Sequence, residues 1–355
     1  MKSFYPKSVV EQLAGHLRAQ IQRGQLSGTM PGVNHLVKEL GVGTETVIAA
    51  LDLLEREGSL MGQGPRRRRK ILPLDMDVAR PGIRVVFLLY EPNDYREHYL
   101  VELRHQLSEA GHSVQLAPKA LSELGMDAAR VERMVRRVEA DAWVVVAGSR
   151  GVLEWFSNQP IPAFALFGRM MQVPMAGTSP RKAPACRELV ERLVGLGHRR
   201  IVMLAREERR KPNPGFLEQF ILEELERHGI QTGAYNLPDW EDSPEGLHRI
   251  LDSLFEYTAP TALLVDEATM LWAVRMHLAK KAILTPQHVS LISMDSDPSF
   301  TWSRPTISHI RWDERPIVRR MVQWVNNVAM GKEDQRTTAT DAEFIPGGTI
   351  GPAAR

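Results

Sequence analysis

Arg66-Arg67-Arg68-Arg69-Lys70 puts five positive charges in succession, directly after the turn residues Gly62-Gln63-Gly64-Pro65. Such a run neutralises phosphates, which supplies affinity for nucleic acid without reading its sequence. Upstream, Thr44, Glu45, Thr46 and Ile48 open a segment in which Val47, Leu51 and Leu54 recur at i, i+4 and i+7, with Ala50 on the same side. This spacing predicts an amphipathic helix whose first turn offers those four residues outward. Glu45 can accept from a cytosine amino group, and Ile48 can meet a thymine methyl. Taken alone, the segment equally fits a helix of any small bundle, and the basic run a solvated linker.

The surrounding elements decide between these readings. Leu36, Val37 and Leu40 form a short apolar face, and Gly41-Val42-Gly43 is the break a tight inter-helix turn needs. Thr44 is the expected N-cap, Glu45 suits the positive helix end, and Gly58 stops the helix. Val9, Val10, Leu13, Leu17 and Ile21 mark an earlier amphipathic helix, followed by the turn Met30-Pro31-Gly32. Ser59-Leu60-Met61 reads as a short strand, Gly62 to Pro65 as a hairpin tip bearing Gln63, and the basic run leads into a second strand at Ile71-Leu72. Three helices and a basic hairpin make a winged helix-turn-helix, which places its second motif helix in a DNA major groove.

Composition bounds the rest. A length of 355 residues implies two or three globular units, and 43% hydrophobic with 25% charged residues is ordinary for soluble protein. Net charge is only +2, but residues 1–81 hold 12 Lys/Arg against 8 Asp/Glu, while the remainder holds 33 against 35. The excess at the N-terminal end fits a polyanionic partner there. A single cysteine, Cys186, excludes an intrachain disulfide and a cysteine-based metal cluster. No run of about eighteen apolar residues occurs, and the N-terminus lacks a signal peptide's apolar core, so a cytoplasmic protein without membrane contact is expected. No Gly-x-Ser-x-Gly, P-loop or His-Glu-x-x-His occurs, so no enzyme, cofactor or metal is expected. His98, His105 and His112, seven apart, read as surface residues of one helix side.

Pro73 to Pro81 reads as a linker. Beyond it, apolar strands alternate with helices. Strands are predicted at 83–89, 113–116, 142–146, 161–167, 200–204, 261–265, 289–293, 307–310 and 342–346. Helices are predicted at 98–111, 128–140, 183–196, 216–228, 244–255, 270–280 and 316–330. Continuous Val/Ile/Leu strands imply parallel sheets covered on both faces, here two of them, forming two lobes. Ligands of such sheets bind outside the carboxyl ends of the strands, which is the cleft.

Two resemblances follow. Over about residues 8–72, Met30-Pro31, Leu40-Gly41-Val42, Thr46-Val47 and Ala50 through Gly58 resemble the GntR family's DNA-binding domain. The family's Ser-Arg before the recognition helix is here Gly43-Thr44, its Arg after Thr-Val is Ile48, and its second-helix Arg falls at Asn34. Residues 82–352 resemble the effector domain of LacI/GalR regulators, related to periplasmic sugar-binding proteins. The carrying stretches are Ala140 to Val146, Leu193 to Ile201 with Gly197-His198-Arg199-Arg200, Pro286 to Asp295, and Pro305-Thr306-Ile307. The combination is similar to the arabinose-repressor branch.

These resemblances imply an α/β chain with a reader at 1–72, a linker at 73–81 and an effector and dimerisation domain at 82–355. Lobe 1 is expected at about 82–177 plus 294–325, and lobe 2 at about 178–293 plus 326–355. They imply a repressor, acting as a homodimer on a double-stranded operator with an inverted repeat, controlled by a small-molecule effector such as a sugar. The linker, in place of the relatives' hinge helix, carries the coupling. DNA contact is expected from Thr44, Glu45, Thr46, Ile48, Gln63, Arg66, Arg67, Arg68 and Arg69. An arginine that grips sugar hydroxyls in relatives falls at Pro212, beside Lys211, and their Asn-Asp pair falls at Asp266-Glu267. Asn93, Tyr95 and Ser149 end strands on the same side, and Asp295 and Trp302 are cleft-rim candidates. A degenerate sensor, kept only for dimerisation, is the alternative that Pro212 leaves open.

Overall fold

The computed structural model describes residues 9–22, 26, 28–56, 59–62, 68–71 and 82–354, in two compact units that part after Arg80. Gln63, Arg66, Arg67, Gly58 and the expected linker at 73–81 lie outside the described residues.

The first unit contains α1 (Val9–Gln22), α2 (Val33–Leu40), α3 (Thr44–Arg56), β1 (Leu60–Met61) and β2 (Lys70–Ile71). Its core is its own: Leu13, Leu17 and Ile21 of α1 meet Leu36 of α2 and Val47, Leu51 and Leu54 of α3, closed by Leu60 and Ile71. Each such side chain contributes about 1.5–3 kcal/mol on burial. α2 stops at Gly41, whose φ of 66° is the left-handed value glycine adopts freely, and whose N–H donates to Val37 O at 3.0 Å. β1 and β2 pair antiparallel, Leu60 opposite Ile71. The segment around Thr29 lies on the other edge of β2: Met30 N–H donates to Arg69 O and Ile71 N–H to Gly28 O, both at 2.9 Å. Thr44 is the first residue of α3 and not its cap. Val47 N–H donates to Gly43 O, so Gly43 holds the capping place.

The second unit runs β3 (Arg84–Leu88), α4 (His98–Glu109), β4 (Ser113–Leu116), α5 (Ala128–Val135), β5 (Ala142–Val146), α6 (Arg150–Ser157), β6 (Ala163–Leu166), β7 (Ala176–Arg181), α7 (Ala183–Gly195), β8 (Ile201–Leu204), α8 (Glu207–Arg210), α9 (Phe216–Arg227), α10 (Pro244–Tyr257), β9 (Ala262–Val265), α11 (Ala268–Lys280), β10 (Ser290–Ser293), β11 (Ser308–Trp312), α12 (Glu314–Ala329) and β12 (Thr337–Ile345). Short 3-10 turns occupy Pro92–Arg96 and Pro298–Trp302.

The strand order is β4-β3-β5-β6-β7-β12-β11-β10-β9-β8. All neighbours are parallel except β11 and β12. Lobe 1 holds β4 through β7 and lobe 2 holds β11 through β8. β12 joins the two parallel sheets: Thr337–Asp341 pair with Gly177–Arg181 of β7, and Ala342–Ile345 pair with Trp312–His309 of β11.

The strands are apolar throughout because both faces are covered. Val85 and Phe87 enter one lobe-1 core with α4 and α12, while Val86 and Leu88 enter the other with α5 and α6. In lobe 2, Ile201 and Met203 face α7 and α9, while Val202 and Leu204 face α10 and α11.

The lobe limits differ from the expected ones. Residues 294–311 belong to lobe 2, since β11 pairs with β10 and Phe300 and Ile307 pack in its core, while the Trp312 side chain at the end of β11 packs against the lobe-1 core. α12 belongs wholly to lobe 1, where Ile317, Met321 and Trp324 pack with Leu100 and Leu103. Between α12 and β12, buried Asp334 accepts from both Nη atoms of Arg320 (3.0 and 2.9 Å), from Asn327 Nδ2 (2.8 Å) and from Arg336, which fixes the approach to the shared strand. His112 is buried and not a surface residue: it accepts from Ile83 N–H at 3.4 Å, and its Nε2 contacts Asn326 Oδ1 at 3.1 Å.

Candidate functional site

Two surfaces have functional geometry, one on each unit. On the first, α3 buries Val47, Ala50, Leu51 and Leu54, so its opposite side is left outward. Thr44 and Glu45 are exposed, Thr46 is half-buried, and Ile48 is 41% exposed, a branched apolar side chain offered to solvent at the start of the helix. Arg68 is exposed. The Arg69 guanidinium, expected to meet phosphate, turns onto α3, pairing with Asp52 and placing Nε 2.9 Å from Glu55 Oε2. Glu55 Oε1 also accepts from Gly62 N–H at 2.9 Å. Arg69, then Gly62, hold the Glu55 carboxyl below its ordinary pKa.

On the second unit, the carboxyl ends of β3, β5 and β6 face those of β8, β9 and β10 across the cleft, and polar contacts cross it. Tyr90 O–H donates to Glu208 Oε2 at 2.8 Å, Arg206 Nη2 lies 3.5 Å from Glu91 Oε1, and Arg169 Nη2 donates to Asn213 O at 2.8 Å. Burial, then Glu208, pushes the Tyr90 phenol far up, so it stays a donor.

Arg206 is the centre of the lobe-2 side. Besides Glu91 it binds Glu267 (Nε, 2.6 Å) and Asp242 (Nη1, 2.9 Å). Burial opposes its cation, but these carboxylates outweigh burial and hold its pKa up. Arg209 pairs with Asp266 at 3.0 Å and lies 3.6 Å from Glu218. Asp266 is the first cause of its raised pKa. Burial pushes the carboxyls of Glu267, Glu218 and Asp94 up. Glu97 is pushed up to about 7 by burial, then by Asp94, Asp295, Asp297 and Glu314. Arg169, which donates to the Asn213 carbonyl, is held down by burial.

The lobe-1 floor is a close approach of strand ends. A Cβ on Gly168 would stand 2.5 Å from Gly148 O, and Gly168 has φ +83°, so the site after β6 needs glycine. Beside it, Phe167 stacks edge-on with Tyr99 and Trp312.

Of the expected effector residues, Asp266 and Glu267 join the arginine group. Asp295 is engaged by Lys182 (3.1 Å) and by Trp312 Nε1 (2.9 Å). Ser149 is a helix cap: its Oγ accepts from Val152 N–H at 3.4 Å and donates to Met126 O at 3.3 Å. Lys211 bridges Glu207 and Asp239 at 3.1 Å each, apart from the Arg206–Arg209 group. Asn93 is exposed on the 92–96 turn, and Tyr95 on the same turn packs against the lobe-1 core with its O–H accepting from Arg96. Trp302 is 88% exposed.

Arg169, Arg206, Glu208, Arg209 and Asp242 were not foreseen. Their signal was position: Arg206 and Arg209 follow the carboxyl end of an apolar strand, where cleft residues are expected.

Among the described residues no three His, Cys, Asp or Glu side chains are grouped to hold a metal, and no helix is long and apolar enough to cross a membrane. The Cys186 thiol is buried and pushed up to about 12, which leaves it unreactive.

Residues 9–66 match the profile of bacterial regulatory proteins of the gntR family, and residues 190–350 that of the periplasmic binding protein-like domain. Comparison with curated proteins gives no match. Among solved structures, a LacI family transcriptional regulator from Bifidobacterium animalis subsp. lactis is similar at 20% identity and TM-score 0.60, covering 78% of this chain and 99% of its own. The Escherichia coli transcriptional repressor ascG gives 15% identity, TM-score 0.57 and coverage of 76% and 99%. A sugar-binding LacI family regulator from Escherichia coli, complexed with phosphate, gives 15%, 0.59, and 76% and 98%. The chain thus joins a gntR-type helix-turn-helix to a periplasmic-binding-protein-like domain with the fold of LacI-type regulators. The matched proteins are transcription regulators and not enzymes.

Proposed function

We propose that this chain, a DNA-binding transcription regulator with a ligand-sensing domain, is a cytoplasmic repressor whose operator affinity is set by a small polar effector in the cleft. The observation that carries the reading is the cleft itself. Charged side chains from both lobes meet at the strand ends, in a chain that also bears an outward-facing reading helix. A ligand that favours one lobe arrangement shifts the population of arrangements by its differential affinity. In a homodimer on an inverted repeat, that shift changes the separation of the two readers and hence the affinity.

Hydroxyl-rich molecules, sugars or related metabolites, fit a site of carboxylates and guanidinium groups that offer acceptors and paired donors. The sugar-binding relative supports this class. Arg209, paired with Asp266 and 43% exposed, is the guanidinium we assign to gripping the ligand, in place of the arginine missing at Pro212. Thr44, Glu45, Thr46 and Ile48 read bases, while Gln63, Arg66, Arg67 and Arg68 supply contacts along the wing. The test is a thermal-shift screen of sugars and related metabolites on the full chain, paired with selection of bound sequences from random DNA. A stabilising ligand and an inverted-repeat motif are expected. Absence of both refutes the reading.

A second reading is favoured by one observation. Glu91, Asp242 and Glu267 already satisfy Arg206, so the cleft can hold itself together with no ligand. That corresponds to a sensor kept only for dimerisation, and the same screen separates it: DNA is selected and no ligand shifts the midpoint.

A further inference from the structure

One carboxylate touches both feet of the wing. Gly62 is the last described residue before the tip, and its N–H donates to Glu55 Oε1 at 2.9 Å. Arg69 follows the tip, and its Nε donates to Glu55 Oε2 at 2.9 Å. The two oxygens of one α3 side chain thus hold the chain on either side of residues 63–67, which carry Gln63, Arg66 and Arg67 in sequence. Asp52, one turn earlier on α3, takes the far end of the same guanidinium. The Arg69 backbone is fixed separately, through its carbonyl to Met30 N–H at 2.9 Å, so the side-chain link to α3 adds to that anchorage. The fit at the other foot is close. A Cβ added at Gly62 would stand 2.4 Å from Glu55 Oε1. Two acidic side chains on a helix that approaches DNA oppose binding by charge, so their presence needs a reason, and the strut supplies one.

We propose that Glu55, with Arg69 and Asp52, is a positioning device that sets the angle between the wing and the recognition helix, so that Arg69 contributes to DNA binding through Glu55 and not through phosphate. This rests on the reading of the first unit as a DNA reader. It reverses the electrostatic expectation for one substitution. Glu55→Ala removes a negative charge from the DNA-facing unit, which by charge alone strengthens binding. If the carboxylate holds the wing, the same change weakens binding, because β2 and the exposed Arg68 beside it are no longer held in register with the helix.

The experiment uses the full chain and variants Glu55→Ala, Arg69→Ala and the double variant. Affinity for a selected DNA is measured across salt concentrations, and amide hydrogen exchange is measured on the free protein. The expected result is a loss of about tenfold for each single variant, the scale of one bond to a charged group. The double variant is expected to be no worse than either single one. Gly62 exchange should accelerate in both single variants while α3 keeps its protection. Tighter binding by Glu55→Ala, or a drop in salt slope of about 0.9 in Arg69→Ala only, overturns the proposal and makes Arg69 a phosphate contact. Unchanged Gly62 exchange overturns it as well. If the wild-type chain binds no DNA, the reader assignment fails, while the exchange data still decide whether Glu55 anchors the wing.

Discussion

Replacing Tyr90 by Phe removes one hydroxyl and leaves the ring. That hydroxyl donates to Glu208 across the cleft at 2.8 Å, so the change removes a bond that exists only when the lobes are together. A hydrogen bond to a charged acceptor contributes about 1.5–3 kcal/mol. Both partners are half-buried, so the lower half of that range applies. At tenfold per about 1.4 kcal/mol, the open arrangement gains about tenfold in population relative to the closed one. Glu91–Arg206 and Arg169–Asn213 still bridge the cleft, so the shift is partial. The assay is single-molecule fluorescence between dyes on exposed Arg137 of lobe 1 and exposed Glu223 of lobe 2, in wild type and in Tyr90→Phe. The longer-distance population should grow in the variant. A ligand that requires closure should bind the variant weaker by the same factor. An identical distance distribution refutes the claim that Tyr90–Glu208 holds the lobes together.

Other consequences are equally direct. Asp334→Ala strands the buried Arg320 guanidinium and should lower the unfolding free energy of the second unit by about 3–5 kcal/mol, read as a lower urea midpoint. In wild type, the low Asp334 pKa, caused first by Arg336, makes this contribution full above the ordinary carboxyl value of 3.8 and lost as pH falls below it. Glu97 has the opposite sign. With its pKa raised from 4.5 to about 7, its contribution is full below 4.5 and lost as pH rises to about 7, so Glu97→Gln should gain thermal stability over wild type as pH is raised across that window. Arg68→Ala should lower the slope of log affinity against log salt by about 0.9, the loss of one phosphate contact, and an unchanged slope removes Arg68 from the interface.

The framework of the fold was legible because burial on two faces forces apolar strands. Val85 to Leu88, Trp143 to Val146 and Leu263 to Val265 carry no polar interruption, and each is a strand. Besides the helix α6 (Arg150–Ser157), the strands that were missed are those whose pairing does not depend on apolar side chains. β7 reads Ala-Gly-Thr-Ser-Pro-Arg, and the first half of β12 reads Thr-Thr-Ala-Thr-Asp. Backbone hydrogen bonds and a Thr178–Thr338 hydroxyl contact at 3.0 Å hold them, and no period-two or apolar pattern marks such a pair. At the site, Asp266-Glu267 could be found from a motif. Arg209 had only its position after an apolar strand to mark it, because the chain departs from the motif at Pro212, and the fold brings its guanidinium to the Asp266 carboxylate. The pairing of Arg69 with Asp52 and Glu55 was not legible either, because a run of like charges in sequence does not show which acids of a neighbouring helix its members meet.

The most direct test of ligand control is the affinity of the full chain for its selected DNA, titrated with the compound that gives the largest thermal shift. Coupling between two sites typically amounts to 1–3 kcal/mol, about 5–150-fold in affinity. A ligand-dependent change of that size is expected for the whole inverted repeat, and none for a single half-site bound by a fragment of residues 1–72. A ligand that binds the full chain tightly and leaves its affinity for the whole site unchanged contradicts it.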